Sequence, residues 1–102
     1  MGIETRYQIV YAPSSEADLN QAAAYLARRS AAAPLAVLVE IKKHIGALAK
    51  MPRMHPVYEV DQQYRRMVVG SYLVFYRIIE EEKTVFVARI YWVERNVRAI
   101  EV

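Results

Sequence analysis

Apolar and polar positions alternate at the start of the chain. Over residues 6–12, Tyr7, Ile9 and Tyr11 fall on one side and Gln8 and Val10 on the other, the period-two pattern of a strand. Pro13-Ser14-Ser15 stops it, and Ser15 with Asp18 makes a capping-box-like helix start. Leu19, Ala22, Ala23 and Leu26 then form an apolar stripe at helical spacing, with Arg28 and Arg29 in the last turn, where cations suit the helix dipole. Residues 30–33 are a short link, and Pro34 suits the first turn of a second helix. Leu38, Ile41, Ile45 and Leu48 carry that helix's stripe, Glu40, Lys42, Lys43 and Lys50 lie mostly off it, and Pro52 ends it. Two helices on so short a link predict an antiparallel hairpin.

Residues 51–63 hold two prolines and read as a loop, with a short strand at 57–60. Period two then returns. Residues 64–69, 72–79 and 84–93 are rich in Val, Ile, Tyr and Phe and are predicted strands. Gly70-Ser71 is a Gly-X loop, the signal of a type II′ hairpin, and residues 80–83 are a polar turn. The middle strand is apolar almost throughout, as a strand buried on both faces or at an interface would be. The pattern assigns no conformation to the tail, 94–102. The expected fold class is therefore α+β in the order β-α-α-β-β-β, a helical hairpin packed on a mostly antiparallel sheet.

Composition narrows the class. At 102 residues the chain is expected to be one domain spanning 1–102, and 55% hydrophobic content rules out a disordered polar chain. Absence of cysteine excludes disulfides and thiolate chemistry and fits a reducing compartment. The longest apolar stretch, 31–39, is too short to span a bilayer, and polar Glu4, Arg6 and Gln8 stand where a signal peptide would be hydrophobic. A cytoplasmic location without membrane contact is the expectation, by elimination. The net charge of +3 is too mild to identify a polyanionic partner by itself. Eight tyrosines and one tryptophan suit interfaces as well as cores, so self-association or a partner is expected.

The wording of the segments adds a resemblance. YQIVYAP at 7–13, running into an acidic helix start, resembles the opening of RelE/ParE superfamily toxins. IGALAKMP at 45–52 is similar to the family's close of the second helix, and RRMVVGSYLVFYR at 65–77 to its central hairpin. Glu82-Lys83 and VFVAR at 85–89 match its usual turn and last strand. The resemblance covers nearly the whole chain and rests on four motifs in order. It implies a toxin of a type II toxin–antitoxin system, held inactive by a cognate antitoxin that wraps it, alone or in a larger hetero-oligomer. RelE-like members cleave mRNA on the ribosome; ParE-like members poison DNA gyrase and are not enzymes in their own right. Neither implies a cofactor or a resident metal.

Ribonucleases that use the RNA's own 2′-oxygen need a base, an acid and positive charge on the phosphate. RelE-like toxins keep a key arginine directly after the hairpin turn. Tyr72 stands there in this chain, which favours the ParE-like, gyrase-binding branch. If the chain is instead an mRNA endoribonuclease, the candidate catalytic residues are Arg65, Arg77, Arg89 and Arg95. If strand parities agree, Arg65, Arg77 and Arg89 share one sheet face as a phosphate- or carboxylate-binding patch; otherwise each pairs with a rim carboxylate such as Glu80 or Glu94. Tyr72, Tyr91, Trp92 and Arg95 are the target-binding candidates. Tyr91 and Trp92 could stack on bases, although aromatic pairs at strand ends more often serve a core or interface. His44 and His55 lack partners at metal-ligand spacing and read as structural, with His55 retaining an acid–base option. A degenerate member that only binds an antitoxin is the third reading.

Overall fold

The computed structural model describes residues 6–93. Strand β1 (Gln8–Tyr11) leads into helices α1 (Pro13–Ala27) and α2 (Ala33–Ala47), followed by strands β2 (Arg65–Val69), β3 (Tyr72–Ile79) and β4 (Thr84–Trp92). A short 3-10 turn, Glu80–Glu82, joins the last two strands, and Lys83 closes it in the left-handed region at φ 47°. The sheet order is β1-β4-β3-β2. β1 runs parallel to β4, whereas β2–β3 and β3–β4 are antiparallel. This is the expected α+β order, a helical hairpin on a mostly antiparallel sheet.

The helical stripes and the sheet close one core. Leu19 of α1 and Ile41, Ile45 and Leu48 at α2 pack on Met67, Val74, Tyr76, Val85 and Val87, with Ile45, Leu48, Val74 and Tyr76 fully buried. Gly70 takes the positive φ, +58°, and Ser71 does not, as a type II′ loop requires. β3 is buried from Tyr72 to Tyr76, on both faces of the sheet.

Several local expectations are corrected. Helix α1 starts on Pro13, with Ala12 as N-cap and no side-chain cap. Buried Ser15 donates instead to the carbonyl of Ala12 (2.8 Å), and Asp18 turns away to β4, so the capping box does not form. Arg28 is the C-cap of α1 and Arg29 lies beyond it, not in the last turn. Helix α2 ends at Ala47, short of Pro52. Residues 57–60 are not a strand. Val57 makes a single bridge to Arg65 and Tyr58 N donates to Tyr64 O (2.8 Å), but the chain then folds back in a turn at Asp61, which accepts from Tyr64 N (3.0 Å) and Gln63 N (3.2 Å), leaving no room for a longer strand.

β1 is too short to cover the whole edge of β4, and α1 takes over where it stops. Ala12 N donates to Val87 O (2.9 Å), Ser14 Oγ to Ala88 O (2.8 Å), and Ile90 N to Asp18 Oδ2 (2.8 Å). The backbone groups of β4 that β1 leaves open are thus satisfied by the first turns of the helix.

Candidate functional site

Register decides which arginines share a face. The two-residue loop pairs Val69 with Tyr72, so Arg65 falls opposite Tyr76, on the helix-covered side. There its Nη1 donates to the carbonyl oxygens of His55 (2.7 Å) and Arg53 (3.4 Å) and braces the loop over β2. Arg77 pairs with Phe86 on the opposite side, away from α1 and α2. Arg89 reaches that side because the register shifts by one residue between Phe75 and Tyr76, skipping Ala88. The expected patch of Arg65, Arg77 and Arg89 therefore does not form; Arg66 replaces Arg65 in it. Arg66, Phe75 and Arg89 lie on one rung of the open face, with Arg77 two residues along β3.

Aromatic rings cover the middle of this face. The Tyr58 ring meets Phe75 edge-on at 4.9 Å, Phe75 meets Tyr91 at 5.9 Å, and the Arg89 guanidinium lies 4.7 Å from the Tyr91 centroid. Phe75 is buried, although neither α1 nor α2 lies on this side of the sheet. Asp18 fixes Arg89 by hydrogen bonds to Nε (2.8 Å) and Nη2 (2.9 Å), and they raise the guanidinium pKa. Among the described residues the carboxylate that pairs with Arg89 is therefore Asp18, not Glu80. Among the described residues, neither Arg66 nor Arg77 has a side-chain hydrogen bond or ion pair.

Tyr72, Tyr91 and Trp92 meet around a cleft of about 540 Å³ between α1 and the end of the β3–β4 ladder. Asp18, Gln21, Tyr25 and Arg28 form its helical wall and Arg89 its floor on the strand side. Tyr72 and Trp92 are register partners on the helix side, while Tyr91 points to the open face, so the two adjacent aromatics belong to different surfaces. Tyr72 is 7% exposed and part of the core, and burial raises its pKa. The Trp92 ring meets that of Tyr25 at a tilt of 50°, 4.6 Å between centroids, and the Arg28 and Arg29 guanidinium groups sit over Tyr25 at 5.8 and 5.5 Å. Arg95 and Glu94 lie outside the described residues.

A second charged cluster ties the loop to the far end of the sheet. Glu80 accepts from Arg53 (2.7 Å), from the Tyr7 hydroxyl (2.9 Å) and from Lys83. These bonds, Arg53's first, pull the Glu80 pKa down to about 2 and raise that of Arg53. Beneath it, Tyr76 is fully buried and donates to Pro52 O (2.7 Å); burial pushes its pKa up to about 12. His55 stands edge-on to the Tyr76 ring at 6.5 Å, and its pKa is lowered by burial. His44 is half-exposed beside Glu40 on α2. Among the described residues no group of His, Cys, Asp and Glu side chains could hold a metal ion, and no helix is long and apolar enough to cross a membrane.

Sequence reasoning passed over Asp18 as a site residue, Arg66, Phe75 and the Arg53–Glu80 pair. Arg66 was within reach: counting back from the turn places it, not its neighbour, opposite Phe75.

Comparison with known proteins follows the same lines. A family model described as the ParE toxin of the type II toxin–antitoxin system parDE matches residues 9–96. No curated protein sequence matches. Among solved structures, the chain is similar to one in the chromosomal ParDE toxin–antitoxin system from P. aeruginosa, with a TM-score of 0.73, 12% identity, and coverage of 84% of this chain and 95% of that chain. It is similar to a chain of the RelBE2 toxin–antitoxin complex from Mycobacterium tuberculosis, with a TM-score of 0.64, 21% identity, and coverage of 90% and 97%. A mutant of the E. coli toxin RelE in the free state has a TM-score of 0.65 at 17% identity, covering 94% and 93%. At these identities the structural likeness establishes the fold.

Proposed function

The chain belongs to the ParE toxin family of type II toxin–antitoxin systems, and from that premise we propose that it arrests growth by binding DNA gyrase, and that a cognate antitoxin neutralises it. The observation that carries the choice of target is Tyr72. RelE-like ribonucleases hold an arginine directly after the hairpin turn, and here that position is a tyrosine 7% exposed, packed in the core and paired with Trp92. It supplies no cation to a phosphate. Arg89, the next cation in the cleft, already has two of its donors on Asp18. What remains is a surface suited to docking: the aromatic cleft at the end of β4 and the open face carrying Arg66 and Arg77.

One observation favours the rival, an mRNA endoribonuclease acting on the ribosome. Among the described residues Arg66 and Arg77 have no side-chain hydrogen bond or ion pair, and they stand beside a row of aromatics; such cations can hold a phosphate. Purified protein separates the two readings. The proposal expects inhibition of gyrase supercoiling and intact ribosome-bound mRNA. Cleavage of that mRNA with gyrase unaffected would overturn it.

A further inference from the structure

β1 covers β4 only as far as Val87, and beyond it the strand edge faces α1. The space between them is the cleft of about 540 Å³, within the range of small-molecule sites, roughly 300–1,000 Å³. Asp18, Gln21, Tyr25 and Arg28 recur every three or four residues, so one stripe of α1 supplies the helical wall. The end of that wall is aromatic. The Tyr25 and Trp92 rings lie 4.6 Å apart, and Arg29 fixes the edge of Tyr25 by donating to its hydroxyl (2.6 Å). Two cations border the rings. Arg28 is exposed and, among the described residues, has no side-chain hydrogen bond or ion pair. Asp18 takes Nε and Nη2 of Arg89, so Nη1 remains to donate elsewhere. Asp18 is the one carboxylate among the lining residues, and it is engaged, which leaves the cleft cationic. The Gln21 amide also has no side-chain hydrogen bond among the described residues.

We propose that this cleft binds a nucleoside phosphate, with the base against the Tyr25–Trp92 wall and the phosphate on Arg28 and Arg89. Every base is flat and presents a π face, which suits an aromatic wall. The planar fork of arginine matches the oxygens of a phosphate. Gln21 offers an amide donor and an acceptor to the edge of the base or to a ribose hydroxyl. Inorganic phosphate would use the arginines and leave the rings against water. An apolar ligand would cover the rings and leave the cations unmet. An acidic side chain of a protein partner has the charge without the flat face. A nucleoside phosphate carries both in one small molecule. The site goes beyond the target proposed above and does not rest on it.

Trp92 is the single tryptophan of the chain, so a base stacked on it changes the only indole emission. The full chain is titrated with adenosine monophosphate, with adenosine and with ribose phosphate, the last read by its competition with the nucleotide. Adenosine monophosphate is expected to quench Trp92 saturably. Adenosine and ribose phosphate should each bind at least about tenfold more weakly, since one lacks the charge-assisted contacts and the other the stacked base. Arg28→Gln, at an exposed position, should weaken the nucleotide at least about fivefold and leave adenosine unchanged, while Arg28→Lys, which keeps the charge, should lose less. Lys43→Gln removes an equal charge on α2 outside the cleft and should leave both ligands unchanged. Absence of saturable quenching overturns the inference. Equal affinity for the nucleotide and ribose phosphate overturns it, because the rings then play no part. So does an equal loss in Lys43→Gln, the sign of diffuse attraction. A single-stranded oligonucleotide without a terminal phosphate that quenches Trp92 more strongly per nucleotide than the monophosphate assigns the cleft to a nucleic-acid chain and overturns it too. The gyrase and antitoxin readings stand or fall separately, on the supercoiling assay.

Discussion

Asp18 holds Arg89 through both carboxylate oxygens, Oδ2 to Nε at 2.8 Å and Oδ1 to Nη2 at 2.9 Å, and the same Oδ2 accepts the backbone N–H of Ile90 at 2.8 Å. One side chain on α1 thus closes the edge of β4 beyond the end of β1 and fixes a cation on the floor of the cleft. Asp18 is largely buried at 10% exposure, whereas Arg89 is 43% exposed. Removing the acid therefore costs more than removing the base, which can return its charge to water. Asp18→Ala should destabilise the fold by about 2 kcal/mol, the cost of orphaning the Ile90 N–H together with a half-screened ion pair. Asp18→Asn, which keeps an acceptor for Ile90, should cost less than the alanine. Urea denaturation of the two variants and Arg89→Ala gives the ranking.

Most of the architecture was legible because each element carried its own period. The β3 run and the Gly70-Ser71 loop gave the hairpin to the residue, and Ile41, Ile45 and Leu48 gave the buried face of α2. The arginine patch was legible only in part. Arg65 lies five residues before Gly70 and Arg77 six after Ser71, an offset of one that puts them on opposite faces of a two-residue hairpin. Arg89 reaches the open face only through the register shift in β4, which no local pattern marks. Asp18 has the spacing from Ser15 that fits the partner position of a capping box. Its role depends on where α1 crosses β4, a tertiary fact.

The Glu80 cluster sets an acid dependence. The Glu80 pKa is about 2 in the fold against an ordinary 4.5, held down by Arg53 first and then by Lys83 and Tyr7. A carboxyl lowered on folding stabilises in full above its unfolded pKa. Its contribution is lost as pH falls from 4.5 towards 2. Glu80→Gln should be less stable than the parent at neutral pH by a constant margin that closes across that window. Denaturation midpoints measured from pH 7 to 2 follow it, and because the cluster is exposed, added salt should shrink the margin.

Gly70 isolates a backbone effect. A Cβ there would meet nothing within 4 Å, yet φ is +58°. Gly70→Ala should therefore cost about 1 kcal/mol from conformation alone. Tyr76→Phe, by contrast, should cost about 1–2 kcal/mol by leaving the buried Pro52 carbonyl without its donor. Both are read from shifts in the urea midpoint at unchanged slope.

Arg66 and Arg77 should separate binding from stability. With no intramolecular side-chain partners among the described residues, each alanine variant should stay within about 0.5 kcal/mol of the parent, as surface substitutions do. Affinity for the antitoxin should fall severalfold in each. Calorimetric titration beside thermal unfolding tests this; loss of affinity that tracks loss of stability would contradict it.

The proposed target makes this a toxin that acts on DNA topology rather than on RNA. Pulse-labelling of DNA and protein synthesis in a bacterial host, minutes after inducing this chain alone, tests it most directly. An early fall in DNA synthesis with a DNA-damage response, while protein synthesis continues, is expected. Immediate loss of protein synthesis with DNA synthesis intact would contradict it and identify an mRNA endoribonuclease.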